Sequence, residues 1–262
     1  MLETSTYRVA EMRNKVPEAT LVFWAIKIMA TTVGETGADY LAVHVGLGTA
    51  LTGAMMLTLL IAALAVQLRM RKYVPWIYWL TVVLVSVVGT QITDALTDKL
   101  GISLYASTIA FALALAVVFA LWYRSERTLS IHTIYTTRRE LFYWAAVLFT
   151  FALGTAAGDL ATEALGLGFM IGVVVFGALI ALVCAIYYVG GNPVLTFWLA
   201  YILTRPLGAS FGDLLSQSRA YGGIGLGTIN TSVLFLSAIV VLVVFASAVE
   251  QRSTRAIATR EP

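Results

Sequence analysis

Four aspartates recur in the chain at a fixed distance from a tryptophan, and their carboxylates are the groups best suited to chemistry. Each copy of the pattern is an aromatic residue, Trp, nine residues, Gly, four residues and Asp. Every copy falls in an apolar stretch, where a carboxylate is costly unless it is paired or functional. The pattern therefore predicts a fourfold repeat that holds carboxylates at one depth of four membrane helices. The copies run from Phe23-Trp24 to Asp39, Tyr78-Trp79 to Asp94, Tyr143-Trp144 to Asp159 and Phe197-Trp198 to Asp213.

Carboxylates that converge in a medium of low dielectric constant attract cations, and rings of Asp or Glu select cations in pores. Further acids, Glu35, Asp98 and Glu163, lie one turn from three of the motif aspartates. Carboxylate oxygens suit hard ions such as Mg²⁺, Ca²⁺ and Mn²⁺. A purely structural role as caps or inter-repeat bonds is the alternative, and His44 is either a loop residue or an accessory ligand or proton acceptor. The predicted metal ligands are Glu35, Asp39, Asp94, Asp159 and Asp213.

A polar stripe joins these acids to deeper charges, because a step of four residues stays on one helix face. In the first repeat it contains Lys27, Thr31 and Glu35, and in the fourth repeat it contains Arg205. Lys27 and Glu35 cannot pair, since eight residues of helix separate them by about 12 Å. We predict that Arg205 pairs with Glu35 if repeats one and four are neighbours. A structural ion pair and a gating or proton-coupling pair both stay open, and all four residues join the predicted ion-binding set.

Pro206 follows Arg205 inside the seventh apolar run. Proline removes one backbone hydrogen bond, so we predict a broken helix over Thr204–Ser210. The matching stretch of the first repeat, Ala30–Thr36, is also rich in polar residues. Repeats one and four therefore look specialised, and repeats two and three look like scaffold.

Membrane helices must position these groups, because 60% of the 262 residues are hydrophobic and only 12% are charged. A soluble domain carries about twice that charged fraction. Each of eight apolar runs has about the 20 residues of a spanning helix. We predict an all-α membrane protein with eight transmembrane helices in a single domain, residues 1–262. The runs are Pro17–Leu41, Thr49–Leu68, Val74–Leu96, Leu104–Tyr123, Glu140–Ala164, Gly168–Val189, Pro193–Leu215 and Thr228–Val249.

The runs pair into four two-helix repeats, residues 17–68, 74–123, 140–189 and 193–249, which all share one orientation. We expect the motif-bearing helix of each pair to face a central axis and its plain partner to face lipid. Small residues four apart predict close helix contact, and the aromatic-Trp pairs predict interface anchors or packing wedges. Pro17, Pro75 and Pro193 are expected just inside helix starts, with Asn192 as an N-cap.

The charge distribution predicts the orientation of the chain. Thirteen of the 17 basic residues fall in segments on one side of the predicted spans. The positive-inside rule places that side, with both termini, in the cytoplasm. The basic charge thus reflects topology and lipid contact, so we expect no binding to nucleic acid. We predict a multi-pass protein of the bacterial cytoplasmic (inner) membrane, with the lipid bilayer and a small cation as partners. A homo-oligomer stays open.

The two-span repeat and its shared tryptophans, Trp24, Trp79, Trp144 and Trp198, resemble a family of bacterial integral membrane proteins. Members of that family consist of four tandem repeats and have no known function. The resemblance covers nearly the whole chain. It implies the repeat architecture and no activity.

No P-loop, dinucleotide-binding, Ser/His/Asp or HExxH pattern occurs, so we predict neither an enzyme nor a cofactor. We predict a transporter of a small cation, foremost a divalent metal ion with proton coupling. One alternative is a non-transporting scaffold or partner subunit whose polar stripe only joins the repeats. Another is a transporter of a small organic solute in a pocket lined by Tyr201 and the motif tryptophans.

Overall fold

The computed structural model of the protein describes residues 14–43 and 49–258, without the side chains of 39, 42, 43, 49 and 250–258. Its described residues form eight α-helices and no strand. The helices are α1 (Leu21–Val43), α2 (Thr49–Arg69), α3 (Pro75–Asp94), α4 (Leu104–Glu126), α5 (Thr137–Asp159), α6 (Gly168–Tyr188), α7 (Pro193–Ser216) and α8 (Thr228–Ala258).

Seven of these helices, α2 to α8, are long and apolar enough to cross a membrane. The remaining helix, α1, is not among these seven; it has 23 residues and carries the charged residues Lys27, Glu35 and Asp39. The all-helical class and the multi-pass membrane character are therefore confirmed.

Local sequence signals explain several helix starts. Pro75 and Pro193 lie in the first turns of α3 and α7, where a missing N–H is harmless. Asn192 caps α7 as predicted, because its Oδ1 accepts from the amides of Val194 (3.0 Å) and Leu195 (3.1 Å).

The prediction for Pro17 is wrong, since α1 begins four residues later at Leu21. The amide of Lys15 donates to a carbonyl of the loop between α4 and α5, which holds this segment outside the helix. Thr20 takes the capping role instead, and its hydroxyl accepts from the amide of Phe23 at 3.3 Å.

The four helices that carry the motif form a ring. We call α1, α3, α5 and α7 the motif helices, and each packs against the next, with α7 closing against α1. Over half of the apolar span is buried in α3, α5 and α7, against less than a quarter in α2, α4, α6 and α8, the outer helices. The expected placement of motif helices inside and plain helices outside is confirmed. Each outer helix packs on the motif helix of the following repeat, and α8 packs on α1.

The motif glycines set the spacing of the ring. Each lies against the residue seven positions after Trp on the next motif helix, so the four helices run parallel at one height. A β-carbon at Gly154 would come within 2.5 Å of the Arg205 side chain, and one at Gly89 within 2.8 Å of Phe151. Such contacts leave room for no side chain larger than hydrogen. The four pairs are Gly34–Ser86, Gly89–Phe151, Gly154–Arg205 and Gly208–Thr31.

The aromatic-Trp pairs pack in the same cyclic order. The aromatic residue before each Trp contacts the Trp of the next repeat, and we call these eight residues the aromatic collar. The ring centroids are separated by distances typical of stabilising aromatic pairs. The collar therefore confirms the packing interpretation of the motif tryptophans. The pairs are Phe23–Trp79 (5.4 Å), Tyr78–Trp144 (5.5 Å), Tyr143–Trp198 (6.2 Å) and Phe197–Trp24 (5.5 Å).

The predicted broken helix over Thr204–Ser210 is wrong, because α7 continues through Pro206. The proline side chain packs into the space that Gly154 and Gly158 leave on α5; β-carbons there would lie 3.1 and 3.3 Å from it. The small residues of α5 thus accommodate the proline ring, and α7 continues past it.

Candidate functional site

A cavity of about 600 Å³ lies at the end of the ring where the motif aspartates are, and five carboxylates line it. Glu35 comes from the first repeat, Asp94 and Asp98 from the second, and Asp159 and Glu163 from the third. We call this cavity the acidic pocket. Lys99 is the one basic residue in its described lining. Its size falls in the range of small-molecule sites.

Two turns of π-helix shape the rim of the acidic pocket. Ala95–Lys99 follows Asp94 directly, and Leu160–Ala164 follows Asp159 in the equivalent place of the next repeat. They carry Asp98 and Glu163. Single π turns inside helices occur frequently at functional sites. The second and third repeats therefore share a local distortion that their sequences did not reveal.

The predicted site residues are only partly brought together. Asp94, Asp159 and Glu35 line one pocket, but Asp213 is buried on α7 and is not part of that lining. The side chain of Asp39 and all of His44 lie outside the described residues. Repeats two and three, expected to be scaffold, supply four of the five carboxylates, because the pocket opens between α1, α3 and α5.

The carboxylates are dispersed around the cavity. Among the described side chains, which exclude Asp39, no three His, Cys, Asp or Glu residues are grouped closely enough to hold a metal ion. A bare divalent ion, which seeks six or more oxygen ligands at short range, finds no ready cage among these groups. The arrangement suits a cation that keeps part of its water shell.

A buried ion pair lies beneath the acidic pocket. Arg205 Nη2 donates to Glu35 Oε2 at 2.7 Å, which confirms the predicted pairing of repeats one and four. The same nitrogen donates to the Thr90 hydroxyl, and Nη1 donates to the carbonyl of Thr31 at 3.4 Å. Arg205 is fully buried, whereas the Glu35 side chain is 9% exposed and lines the pocket. The pair therefore forms the pocket floor, with its acid toward the opening.

Thr31 was predicted to bind the ion, but its hydroxyl donates to backbone carbonyls at the contact between α1 and α7, which we call the seam. It donates to the carbonyl of Ile28 at 2.6 Å, with a longer contact of 3.3 Å to the carbonyl of Thr204. Thr32 donates to the carbonyl of Gly208 at 3.1 Å along the same seam. These hydroxyls hold the ring closed between its first and last repeats.

Lys27 lies deeper, in an aromatic cage that the stripe pattern did not predict. Its Nζ is 4.0 Å from the centroid of the Phe151 ring and 4.3 Å from that of Tyr201. The Nζ atom is fully buried and has no hydrogen-bond partner. When the side chain is charged, cation–π attraction to these rings is the stabilisation left to it. The sequence feature that could have indicated this cage is Phe151, an aromatic residue at a position of the polar stripe in the third repeat.

A second missed feature is a pair of tyrosines in the aromatic collar. The hydroxyls of Tyr78 and Tyr143 are 2.6 Å apart, and both side chains are fully buried. The signal was present in the motif itself. The residue before Trp is Tyr in repeats two and three but Phe23 and Phe197 in the others.

A second cavity of about 550 Å³ lies near the opposite end of α1 and α7, against α6. Trp24 and Phe197 line it together with His132 and Cys184. Trp24 is the one motif tryptophan in its lining, and none lines the acidic pocket. Neither of these two cavities is therefore formed jointly by the four tryptophans and Tyr201.

Neither a curated protein nor a solved structure matches the chain. The family model described as Repeat of Unknown Function (DUF347) matches four consecutive segments: residues 22–73, 77–128, 142–191 and 196–252. Each segment contains one motif helix and one outer helix of the ring. Because the four matches together cover most of the chain, the protein belongs to this family of tandem repeats.

Proposed function

We propose that the protein transports a small cation, which enters through the acidic pocket and is controlled by the Glu35–Arg205 pair. The observation that carries this proposal is the position of the pair. The acidic pocket is lined by five carboxylates and one lysine. The innermost of these carboxylates, Glu35, is bound on its other side to the buried Arg205. A scaffold would need the ion pair but not the open acidic cavity above it.

The proposed topology has eight spans, with both termini in the cytoplasm of a bacterial inner membrane and the acidic pocket outside. The basic segments support this orientation. Two single-cysteine variants in a Cys184→Ser background test it. An impermeant maleimide added to intact cells should label Lys99→Cys and leave Arg138→Cys unlabelled. The reverse result would place the acidic pocket in the cytoplasm.

In the proposed cycle, a cation in the pocket competes with Arg205 and with a proton for Glu35. Converging carboxylates raise the local cation concentration at the mouth. Occupancy by the cation and protonation of Glu35 exclude each other, so the ion and the proton exchange. The dispersed carboxylates favour a divalent ion that binds through water, as Mg²⁺ commonly does.

A small organic cation is the second candidate. The pocket is larger than a single ion needs, and its lining includes Leu57, Val88, Ile92 and Leu104 beside the acids. An ammonium group could meet the carboxylates while its carbon chain contacts these apolar side chains. Such a solute would bind without any metal.

Binding to purified protein tests the proposal first. Thermal shift and calorimetry with Mg²⁺, Mn²⁺, Ca²⁺ and Zn²⁺, and with a linear diamine, compare the wild type with Glu35→Gln. Glu18→Gln is the matched control, because Glu18 is exposed outside the pocket. We expect saturable stabilisation that Glu35→Gln loses and Glu18→Gln keeps.

Flux into proteoliposomes then separates transport from binding. The cation that binds should accumulate in vesicles with the wild type and not with Glu35→Gln. Wild-type flux by Glu35→Gln would refute the role of the pair. A protein that neither binds nor moves any tested cation would favour the scaffold, for which Asp→Asn changes lower stability alone.

A further inference from the structure

Buried polar side chains continue beyond the floor of the acidic pocket toward the aromatic collar. Lys27 lies one turn nearer the collar than the layer of Arg205, and Tyr201 forms one wall of its cage. Tyr143 and Tyr78 follow within the collar, where their hydroxyls are hydrogen-bonded. A line of groups able to carry protons therefore crosses the ring where apolar packing alone would have filled the space.

Several atoms along this line are buried without a hydrogen-bond partner. They are Lys27 Nζ, Tyr201 Oη, Ser86 Oγ and Arg205 Nε. Lys27 and Tyr201 lie three residues after a motif Trp, and Ser86 and Arg205 lie seven residues after one, so the four atoms occupy two adjacent layers of the ring. An unsatisfied buried polar group costs about 1–3 kcal/mol, and proteins normally avoid it. Four such atoms in two adjacent layers indicate a polar site in which water is the natural hydrogen-bond partner.

The tyrosines continue this line of polar groups toward the collar end of the ring, where the loops rich in basic residues lie. The Tyr201 hydroxyl lies close enough to that of Tyr143 to interact with it, although the pair lacks the geometry of a regular hydrogen bond. Tyr78 packs edge-on against Tyr73 at 5.6 Å between centroids. Tyr73 lies in the loop before α3, outside the helices, and its hydroxyl accepts from Trp79 Nε1 at 3.2 Å.

We propose that protons cross the ring along this line, with Lys27 as the relay between Glu35 and the hydroxyls of Tyr201, Tyr143 and Tyr78. This inference rests on the proposed transport function and names the route of its coupling ion. Among the described side chains, Arg205 and Tyr201 of α7 are the charged and titratable groups that interact with Lys27, and α5 presents the Phe151 ring.

Each transfer conserves charge and protons. The Lys27 ammonium releases one proton toward Tyr201 and becomes an amine. Every hydroxyl accepts a proton on its oxygen as its own hydrogen passes to the next group, and Tyr78, the last hydroxyl of the route, releases one on the side of Tyr73. The Lys27 amine then regains a proton from Glu35, about 12 Å away along α1, through water in the layer of Ser86 between them. Arg205 holds Glu35 in place and transfers no proton, because a guanidinium stays charged in proteins.

The chain contains its own control for the tyrosines. Phe23 and Phe197 occupy in repeats one and four the positions that Tyr78 and Tyr143 occupy in repeats two and three. A Tyr78→Phe/Tyr143→Phe variant therefore keeps the collar packing and removes two hydroxyls. Tyr105→Phe is the matched control, because Tyr105 is 55% exposed on α4, far from the axis.

Proteoliposomes that contain a pH-sensitive dye and an outward cation gradient test the proposal. We expect the double Tyr→Phe variant to lower proton flux about a hundredfold, within the range that positioned proton donors contribute. Tyr105→Phe should match the wild type, and Lys27→Met should fall as far as the double variant. Thermal unfolding and cation binding at the acidic pocket should stay unchanged in the double variant, which separates loss of the route from loss of the fold.

Proton flux at the wild-type rate in the double variant would overturn this inference and leave the proposed function intact. Cation flux without any proton flux in the wild type would do the same. A wild-type protein that moves neither ion would refute the proposed function and the proton route together.

Discussion

Removing either partner of the Glu35–Arg205 pair should destabilise the protein by clearly different amounts. At 2.7 Å and an effective dielectric constant of about 20, the attraction is about 6 kcal/mol, much of it offset by desolvation. Glu35→Gln leaves a fully buried guanidinium without its counter-charge, so we expect the free energy of unfolding to fall by about 3 kcal/mol. Arg205→Met leaves a carboxylate that borders the acidic pocket and can be hydrated there, so we expect a loss of about 1 kcal/mol.

The double variant Glu35→Gln/Arg205→Met should be less destabilised than the sum of the single changes. Replacing both charges removes the uncompensated guanidinium, so we expect a coupling free energy of about 2 kcal/mol. Unfolding in mixed micelles can be followed by tryptophan fluorescence, because Trp79, Trp144 and Trp198 are buried in the collar. The surface arginine Arg138, whose side chain is 70% exposed, supplies the control Arg138→Met, expected within about 0.5 kcal/mol.

Two results would refute this reasoning. Additive single changes would mean that the two side chains do not interact in the membrane. A larger loss of unfolding free energy for Arg205→Met than for Glu35→Gln would mean that the Glu35 carboxylate, and not the Arg205 guanidinium, is the charge shielded from water. The acidic pocket would then not reach Glu35.

Three further predictions concern the packing of the repeats. Gly208→Ala should destabilise the protein by about 2 kcal/mol, because the new β-carbon would overlap Thr31 of α1. Gly177→Ala, on the open face of α6, should stabilise it by about 0.5 kcal/mol. Thermal unfolding compares the two variants, and equal effects would contradict the close approach of α7 to α1. Asn192→Ala should cost about 1 kcal/mol in the same assay, because two amides of α7 lose their acceptor, and an unchanged midpoint would show that water replaces the cap. Lys15→Met should cost about 3 kcal/mol of stability, because Glu140, which is 1% exposed, would lose the Lys15 ammonium 2.5 Å away. A Lys15→Met/Glu140→Gln double variant should recover stability, and failure to recover would contradict this cause.

The repeat architecture could be predicted because one spacing determines several contacts at once. Trp, Gly and Asp recur at fixed intervals, so each occupies an equivalent place in a closed ring. The pairing of Arg205 with Glu35 followed from comparing depths on two helices, and the ring confirms it. These inferences needed only helical geometry and the cost of burying charge.

The acidic pocket could not be predicted to the same degree, because it departs from fourfold symmetry. The π turns after Asp94 and Asp159 depend on tertiary packing, and no local pattern announced them. Asp213 has the same motif position but is not part of the pocket lining, since α7 bounds a different side of the ring. Pro206 was misread for a related reason: the glycines that accommodate its ring lie on another helix.

The cyclic packing of the outer helices has a consequence for the making of the protein. Helix α2 packs on α3 and α4 on α5, so most partners are synthesised in succession. The first motif helix is the exception, because its outer partner α8 belongs to the fourth repeat. During membrane insertion α1, which carries Lys27 and Glu35, must therefore wait for its outer partner until the fourth repeat has been synthesised. The ring closes when α7 reaches α1, but α1 is covered from outside only after α8 has been made, so loss of α8 would leave that side of α1 uncovered.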